Sequence, residues 1–79
     1  MNDKEYKGIL LDIGLKIGYY RRRAGMTQAE LAEHTGFTLS YISQLESPKL
    51  PYCPSVKALF TIAEVLGIKA SDLINVDNN

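Results

Sequence analysis

Two short helical segments joined through a glycine turn occupy the middle of this sequence. Thr27 and Glu30 stand three positions apart, the spacing of a capping box, which predicts a helix that begins at Gln28. Gly36 follows only eight residues later and can adopt the left-handed backbone conformation that turns a chain sharply. A brief helix followed by a tight turn limits the fold more than any other feature of the chain.

A second helix after that turn is predicted to have two unlike faces. Thr38 can cap a helix from Leu39 to about Ser47, in which Ile42 and Leu45 point to one side. Four uncharged polar side chains fall on the other side: Ser40, Ser43, Gln44 and Ser47. Serines on a helix are usually only a solvated face. A solvated face normally carries Lys and Glu, however, so an exposed stripe without charge also suits close approach to another polar surface.

Helical periodicity continues on both sides of this pair. Residues Ile9, Ile13, Ile17 and Tyr20 follow three- and four-residue steps and predict a first helix from about Gly8 to Ala24. After three prolines at 48, 51 and 54, Ser55 is suited to cap a fourth helix that stops at Gly67. A last helical turn is expected at Ala70 to Ile74. The prediction is a compact, all-α domain of five helices.

The composition points to one globular unit in a reducing compartment. A chain of 79 residues with 46% hydrophobic and 23% charged side chains suits a single small core. No apolar run approaches the length of a membrane span, and no signal peptide is visible. Cys53 is the sole cysteine and His34 the sole histidine, so we expect neither a disulfide nor a metal site and place the protein in the cytoplasm.

Charge is distributed unevenly although it sums to zero. Residues 16–57 hold six basic side chains against three acidic ones, whereas both ends of the chain are acidic. A basic middle segment could contact phosphates. We find no phosphate loop, nucleophile elbow, paired histidines or cysteine cluster, so an enzyme and a bound cofactor are not expected.

Particular residues of the helical pair resemble the Cro and phage-repressor family of helix-turn-helix regulators. The matching residues in the motif are Gln28, Ala29, Leu31, Ala32, Gly36, Ile42 and Leu45. The resemblance extends over roughly residues 12 to 74 and implies a lambda-repressor-like fold. We therefore expect residues 1–11 to extend the first helix, residues 12–74 to form the DNA-binding domain, and residues 75–79 to fray.

The resemblance also implies a role for individual side chains. Base edges would be contacted by Thr38, Leu39, Ser40, Ser43 and Gln44, with Leu39 limited to apolar contact such as a thymine methyl. Phosphates would be contacted by Gln28, Arg22, Arg23, Tyr41, Ser47 and Lys49. Arg21 would pair with Glu46. Tyr41 could instead belong to the core or to a dimer surface, and Arg22 and Arg23 could simply be solvated.

Two departures from the family pattern stand out near the end of the domain. Lys69 occupies a position where the family commonly has a capping serine or threonine, and the loop from Pro48 to Pro54 lacks a glycine often found there. His34 and Cys53 are expected to be surface residues without catalytic roles.

The function predicted from these residues is sequence-specific DNA binding by a transcriptional regulator. We expect this regulator to be a repressor. A homodimer would bind a palindromic operator in double-stranded DNA, with its contact surface around Leu66 to Ile74. The alternative is an antitoxin or protein-interaction module of the same fold, whose protein partner the sequence does not identify.

Overall fold

Five α-helices follow one another along residues 1–49 and 52–74, the part of the chain that the computed structural model describes. They are α1 (Asp3–Arg23), α2 (Gln28–Thr35), α3 (Leu39–Glu46), α4 (Val56–Leu66) and α5 (Ala70–Leu73). The described residues include no strand, and the predicted all-α, five-helix class is confirmed. The frayed tail predicted at residues 75–79 lies outside the described residues.

Helix α1 begins five residues earlier than the prediction at Gly8. Asn2 caps it, because the Asn2 side-chain oxygen accepts from the Glu5 backbone N–H at 2.8 Å while the Glu5 carboxylate accepts from the Asn2 N–H at 3.2 Å. The added residues are exposed, and Leu10 is the first buried residue of α1. The neighbouring Cys53 thiol raises the pKa of the Tyr6 hydroxyl.

The first short helix, α2, begins and ends as the sequence predicted. Thr27 Oγ1 accepts from the Glu30 N–H at 3.0 Å, and the Glu30 carboxylate accepts from the Thr27 N–H at 2.9 Å, which lowers the pKa of Glu30. Gly36 ends the helix with a φ of 80°, in the left-handed region. The capping box and the glycine turn together set the orientation in which the chain enters α3.

Two further helix ends differ from the predictions by one residue. Helix α3 stops at Glu46 and Ser47 has extended backbone, because a residue that precedes a proline is forced out of the helical region. Helix α5 stops at Leu73 rather than Ile74. The Lys69 side chain has no hydrogen-bond acceptor and so cannot cap α5. The Asp72 carboxylate stabilises the start of this helix instead, because it accepts from the Lys69 N–H at 2.9 Å.

Every helix contributes one completely buried side chain to a common core. These are Ile17, Leu31, Ile42, Ile62 and Leu73, in the order of the helices. Neighbouring buried residues such as Ile13, Leu45 and Leu59 extend the same cluster. Because α3 contributes Ile42 and Leu45 to this core, its opposite face is fixed toward the outside.

Helices α1 and α3 approach each other closely at Gly14. A Cβ atom on Gly14 would collide with the backbone carbonyl oxygen of Leu45, which cannot move without displacing α3. Gly8, six residues earlier in the same helix, has open space where its Cβ would be. The two glycines therefore occupy one helix in opposite packing environments.

We expect Gly14→Ala and Gly8→Ala to change stability in opposite directions. Gly14→Ala should destabilise the fold by about 1–3 kcal/mol, because the added methyl group pushes α1 away from α3. Gly8→Ala should stabilise it by about 0.5–1 kcal/mol, since alanine loses less backbone entropy in a helix. Urea unfolding followed by circular dichroism measures both, and a stabilising Gly14→Ala would show that the contact is loose.

Candidate nucleic-acid interface

The outward face of α3 carries a continuous polar stripe. Its five predicted base-contacting residues are all exposed and lie along the first two turns of the helix or at its cap: Thr38, Leu39, Ser40, Ser43 and Gln44. Thr38 also caps the helix, since its Oγ1 accepts from the Tyr41 N–H at 3.0 Å. The structure therefore brings these five residues onto one surface.

No ionised side chain lies in this stripe, so hydroxyl, carboxamide and methyl groups form its surface. Gln44 can both donate and accept, which is the pattern that matches an adenine edge. Leu39 is 51% exposed although it is apolar. An exposed leucine among short polar side chains is suited to contact a methyl group on a partner surface.

A buried ion pair holds the far end of α3 against α1. Arg21 Nε donates to Glu46 Oε2 at 2.8 Å and Arg21 Nη2 donates to Glu46 Oε1 at 3.0 Å, so the pair is bidentate. The two side chains are only 11% and 8% exposed. The hydrogen bond with Glu46 raises the pKa of Arg21, so the guanidinium stays charged throughout the accessible pH range. The two residues that the sequence predicted to pair are thus in contact.

The same pair also connects to α2 and to the turn before it. Gln28 Nε2 donates to Glu46 Oε1 at 3.1 Å, and Arg21 Nη1 donates to the Met26 carbonyl oxygen at 2.8 Å. One of the amide hydrogens of Gln28 is therefore engaged inside the protein. Glu46 thus fixes α3 relative to both helices that precede it.

Two contributors to this network were not predicted. The Met26 carbonyl gives no sequence signal, because any residue could supply it. Gly18 does give a sequence signal. Glycine destabilises the interior of a helix, so its presence there indicates that another part of the chain approaches α1 closely. A Cβ on Gly18 would lie 3.0 Å from Glu46 Oε1, so glycine leaves room for the carboxylate against α1.

Arg22 and Arg23 point to different sides of α1. The Arg22 Nη1 atom lies 3.1 Å from the position that a Cβ on Gly18 would take, on the side of Glu46 and α3. Arg23 turns the other way and donates to the Tyr19 hydroxyl at 3.4 Å. Both are exposed, but only Arg22 lies beside the helix with the polar stripe.

The remaining predicted phosphate contacts lie in the first turn of α3 and just after its end. Tyr41 is half-buried, and its ring makes edge-to-face contacts with Phe37 and Tyr52 at centroid distances of 5.2 and 5.9 Å. Its ring is thus structural, while its hydroxyl remains a predicted contact. Ser47 Oγ accepts from the Lys49 N–H at 3.3 Å, and Lys49 is exposed.

Other kinds of site find little support in the described part of the chain. Residues 1–49 and 52–74 contain no group of three or more side chains placed to hold a metal ion. His34 and Cys53 are both exposed. Among the same residues, no helix combines the length and apolar character that a membrane span requires.

The helix-turn-helix family model matches residues 17–73, which include α2, α3, α4 and α5. This chain belongs to that family, of the Cro and phage-repressor type. The family predicted from the motif residues is thereby confirmed, and α2 and α3 are its helix-turn-helix.

Individual members of this helix-turn-helix family resemble the chain over most of its length. The transcriptional regulator SinR of Bacillus licheniformis is 36% identical over 63 residues, which are 80% of this chain and 56% of SinR. The immunity repressor of Bacillus phage phi105 is 31% identical over 64 residues, which cover 81% of this chain and 43% of the repressor. The chain thus spans about half the length of these two relatives.

Solved structures of SinR share the helix-turn-helix fold. SinR in complex with DNA has a TM-score of 0.72 and 36% identity, covering 77% of this chain and 95% of that one. A complex of SinR with the SinI protein has a TM-score of 0.75 and 33% identity, covering 84% of this chain and 63% of that one. The family likeness therefore holds in three dimensions as well as in sequence.

We expect Arg21→Met to destabilise the fold by on the order of 3 kcal/mol, because it leaves the Glu46 carboxylate buried without its cation. Replacing both residues together, as Arg21→Met with Glu46→Leu, should cost less than the single change. A double-mutant cycle in urea unfolding measures the coupling between them. Coupling near zero would mean that the ion pair does not hold α3 in place.

Proposed function

We propose that this chain is a sequence-specific DNA-binding transcriptional regulator that places α3 in the major groove and acts as a repressor. The observation that carries this proposal is the exposed, uncharged stripe on α3, whose orientation is fixed by the buried Arg21–Glu46 pair. A major groove admits one α-helix, and hydroxyl and carboxamide groups can distinguish base pairs at its floor. SinR, a family relative, has been seen in complex with DNA.

The side chains at the edges of the stripe would hold the DNA backbone. The amino terminus of α2 presents free N–H groups that favour an anion, and Gln28 lies at this end. Arg22 on one side and Lys49 on the other add positive charge. Phosphate contacts of this kind set the orientation of α3 but do not depend on base sequence.

Acting on DNA, the protein would work in the cytoplasm and without a cofactor. We assign it no catalytic role. Its bound form would repress by occupying the operator, and the amount of protein or a protein partner would set the degree of occupancy.

Base reading can be tested at Gln44. Gln44→Ala should weaken binding to the preferred duplex by about 1–3 kcal/mol while hardly changing affinity for random DNA, because a bidentate base contact is lost. The preferred duplex is first selected from a random pool, and fluorescence titrations on both duplexes then give the ratio of affinities. An unchanged ratio would exclude Gln44 from base reading.

Phosphate contact can be tested with a pair of adjacent arginines. Arg22→Gln should weaken preferred and random duplexes alike and reduce the salt dependence by about one ion. Arg23→Gln is the matched control, since it removes the same charge from the side of α1 that faces away from α3. If the affinities of the two variants depended equally on salt concentration, the assignment of Arg22 as a phosphate contact would be wrong.

We further propose that the regulator binds a palindromic operator as a homodimer, since one α3 reads only a few base pairs. The surface we favour is the exposed side of α4 rather than the segment from Leu66 to Ile74, because Leu73 is fully buried in the core. Val56 and Phe60 are 70% and 63% exposed on α4. Phe60 borders an open groove of about 480 Å³ that reaches Ile68 and Ala70.

Phe60→Glu should therefore prevent two chains from occupying one palindromic site. The variant should fold normally, because the side chain is already exposed, and should lose affinity for the full site far more than for a half-site. Sedimentation of the protein with each duplex reports the stoichiometry. Two Phe60→Glu chains bound per palindrome with unchanged affinity would place the dimer contact elsewhere.

The complex of the relative SinR with the SinI protein supports a second candidate function, in which this chain is a protein-binding module of the same fold. If a protein partner were the main ligand, the α3 stripe would be a protein contact. The Gln44→Ala titrations separate the two functions, because a protein-binding stripe would show no preference among duplexes.

A further inference from the structure

The outward face of α1 carries an apolar stripe that the described residues leave partly uncovered. Leu11, Leu15 and Tyr19 follow one another at four-residue spacing and so share one side of the helix. Leu15 is 65% exposed and Tyr19 is 52% exposed. Gly8 continues the stripe toward the amino end and has open space above it. Neither the core nor the α3 surface uses these side chains.

Charged residues along one edge of this stripe are sorted by sign. Glu5 and Asp12 lie in the amino-terminal half of α1, and Lys16 and Arg23 lie in the carboxyl-terminal half. On a helix wheel turned 100° per residue, these four fall on the same edge, next to Tyr19. Asp12 and Lys16 form a partly buried ion pair at 2.9 Å, which marks the point where the sign of the charges changes.

We propose that this stripe binds a second copy of the chain, with the two α1 helices packed antiparallel. An antiparallel pair brings the acidic half of this edge against the basic half of the same edge on the partner, whereas in a parallel two-fold pair this edge would face the partner's other edge and the complementary charges would not meet. The charges of this edge are therefore complementary to themselves, as a two-fold contact requires, although Lys4 and Arg22, which fall between Leu11 and Leu15 on the same wheel, would face each other as like charges near the ends of the helices. This complementarity favours a second copy over an unrelated protein.

The apolar side chains fit the same arrangement. If the two-fold axis passes near the middle of α1, Leu11 lies opposite the partner's Leu15, and Tyr19 lies over the space at the partner's Gly8. Glycine at that position lets the aromatic ring and the facing backbone approach closely. A helix of 21 residues is about 32 Å long, enough for several such layers.

This contact is separate from the α4 surface proposed for the operator-bound homodimer. A chain that pairs through α4 on one operator could therefore pair through α1 with a chain on a neighbouring operator. The contact does not depend on DNA binding and can be measured without DNA.

A charge-swap experiment tests the contact in the full chain that also carries Phe60→Glu, so that the α4 surface does not contribute. The Phe60→Glu chain alone should self-associate in sedimentation velocity. Adding either Asp12→Lys or Lys16→Asp should weaken that association about tenfold, because each change makes two symmetry-related pairs repulsive. An equimolar mixture of the two variants should associate again, since a lysine at position 12 of one chain then faces an aspartate at position 16 of the other.

Matched leucine variants test the apolar part of the stripe. Leu15→Asp should abolish the association, whereas Leu39→Asp should leave it unchanged, because Leu39 is a similarly exposed leucine on α3. Circular dichroism of each variant establishes that it is folded. A monomeric Phe60→Glu chain, or a mixture of charge variants that stays dissociated, would overturn the proposal.

The antiparallel orientation has its own test. With Cys53→Ser in the same background, Leu11→Cys and Leu15→Cys chains should form a disulfide with each other in preference to forming one with themselves. Disulfides between two Leu15→Cys chains in place of mixed ones would exclude the antiparallel arrangement. The α1 contact is measured without DNA, so it can fail while the DNA-binding function tested at Gln44 stands.

Discussion

The position of α3 depends on one buried ion pair. Arg21 and Glu46 are separated by 25 residues and lie on different helices, and their bidentate contact occurs where water has little access. Taking both charges out of water is expensive unless their hydrogen bonds are satisfied. Gln28 and the Met26 carbonyl supply additional hydrogen bonds, so the pair also includes α2 and its preceding turn. An orientation fixed this way would let short side chains such as serines read a partner surface.

Two glycines of α1 make this arrangement sterically possible. Gly14 lets the α3 backbone lie directly against α1, and Gly18 leaves space for the Glu46 carboxylate. Glycine costs helix stability at both positions. The capping box at Asn2 and the buried Leu10 help to offset that cost by extending and anchoring α1.

Helix α1 therefore has two structurally distinct sides. Its inner side holds α3 through Gly14, Gly18 and Arg21, while its outer side presents Leu15 and Tyr19 to solvent. Consecutive residues point about 100° apart, so neighbouring arginines can serve different sides. Arg21 is buried, Arg22 lies toward α3, and Arg23 lies beside Tyr19. A run of three like charges thus has three different environments.

Local interactions in the sequence determined where most helices begin and which face of each is buried. Thr27, Thr38 and Ser55 cap their helices with bonds to residues three positions away, and Gly36 and Gly67 turn the chain. The capping box of Asn2 with Glu5 was overlooked although it is equally local. The family resemblance, rather than local pattern, predicted the Arg21–Glu46 pair.

Tertiary structure alone decided what these side chains contact. Whether Gly14 is crowded and Gly8 is open depends on where α3 lies, and periodicity within α1 does not contain that information. The same holds for Leu73, which is completely buried, and for Phe60, which shares the apolar pattern of α4 but remains outside the core. Helix periodicity defines an apolar side, but only the packing of the other four helices determines how much of that side becomes covered.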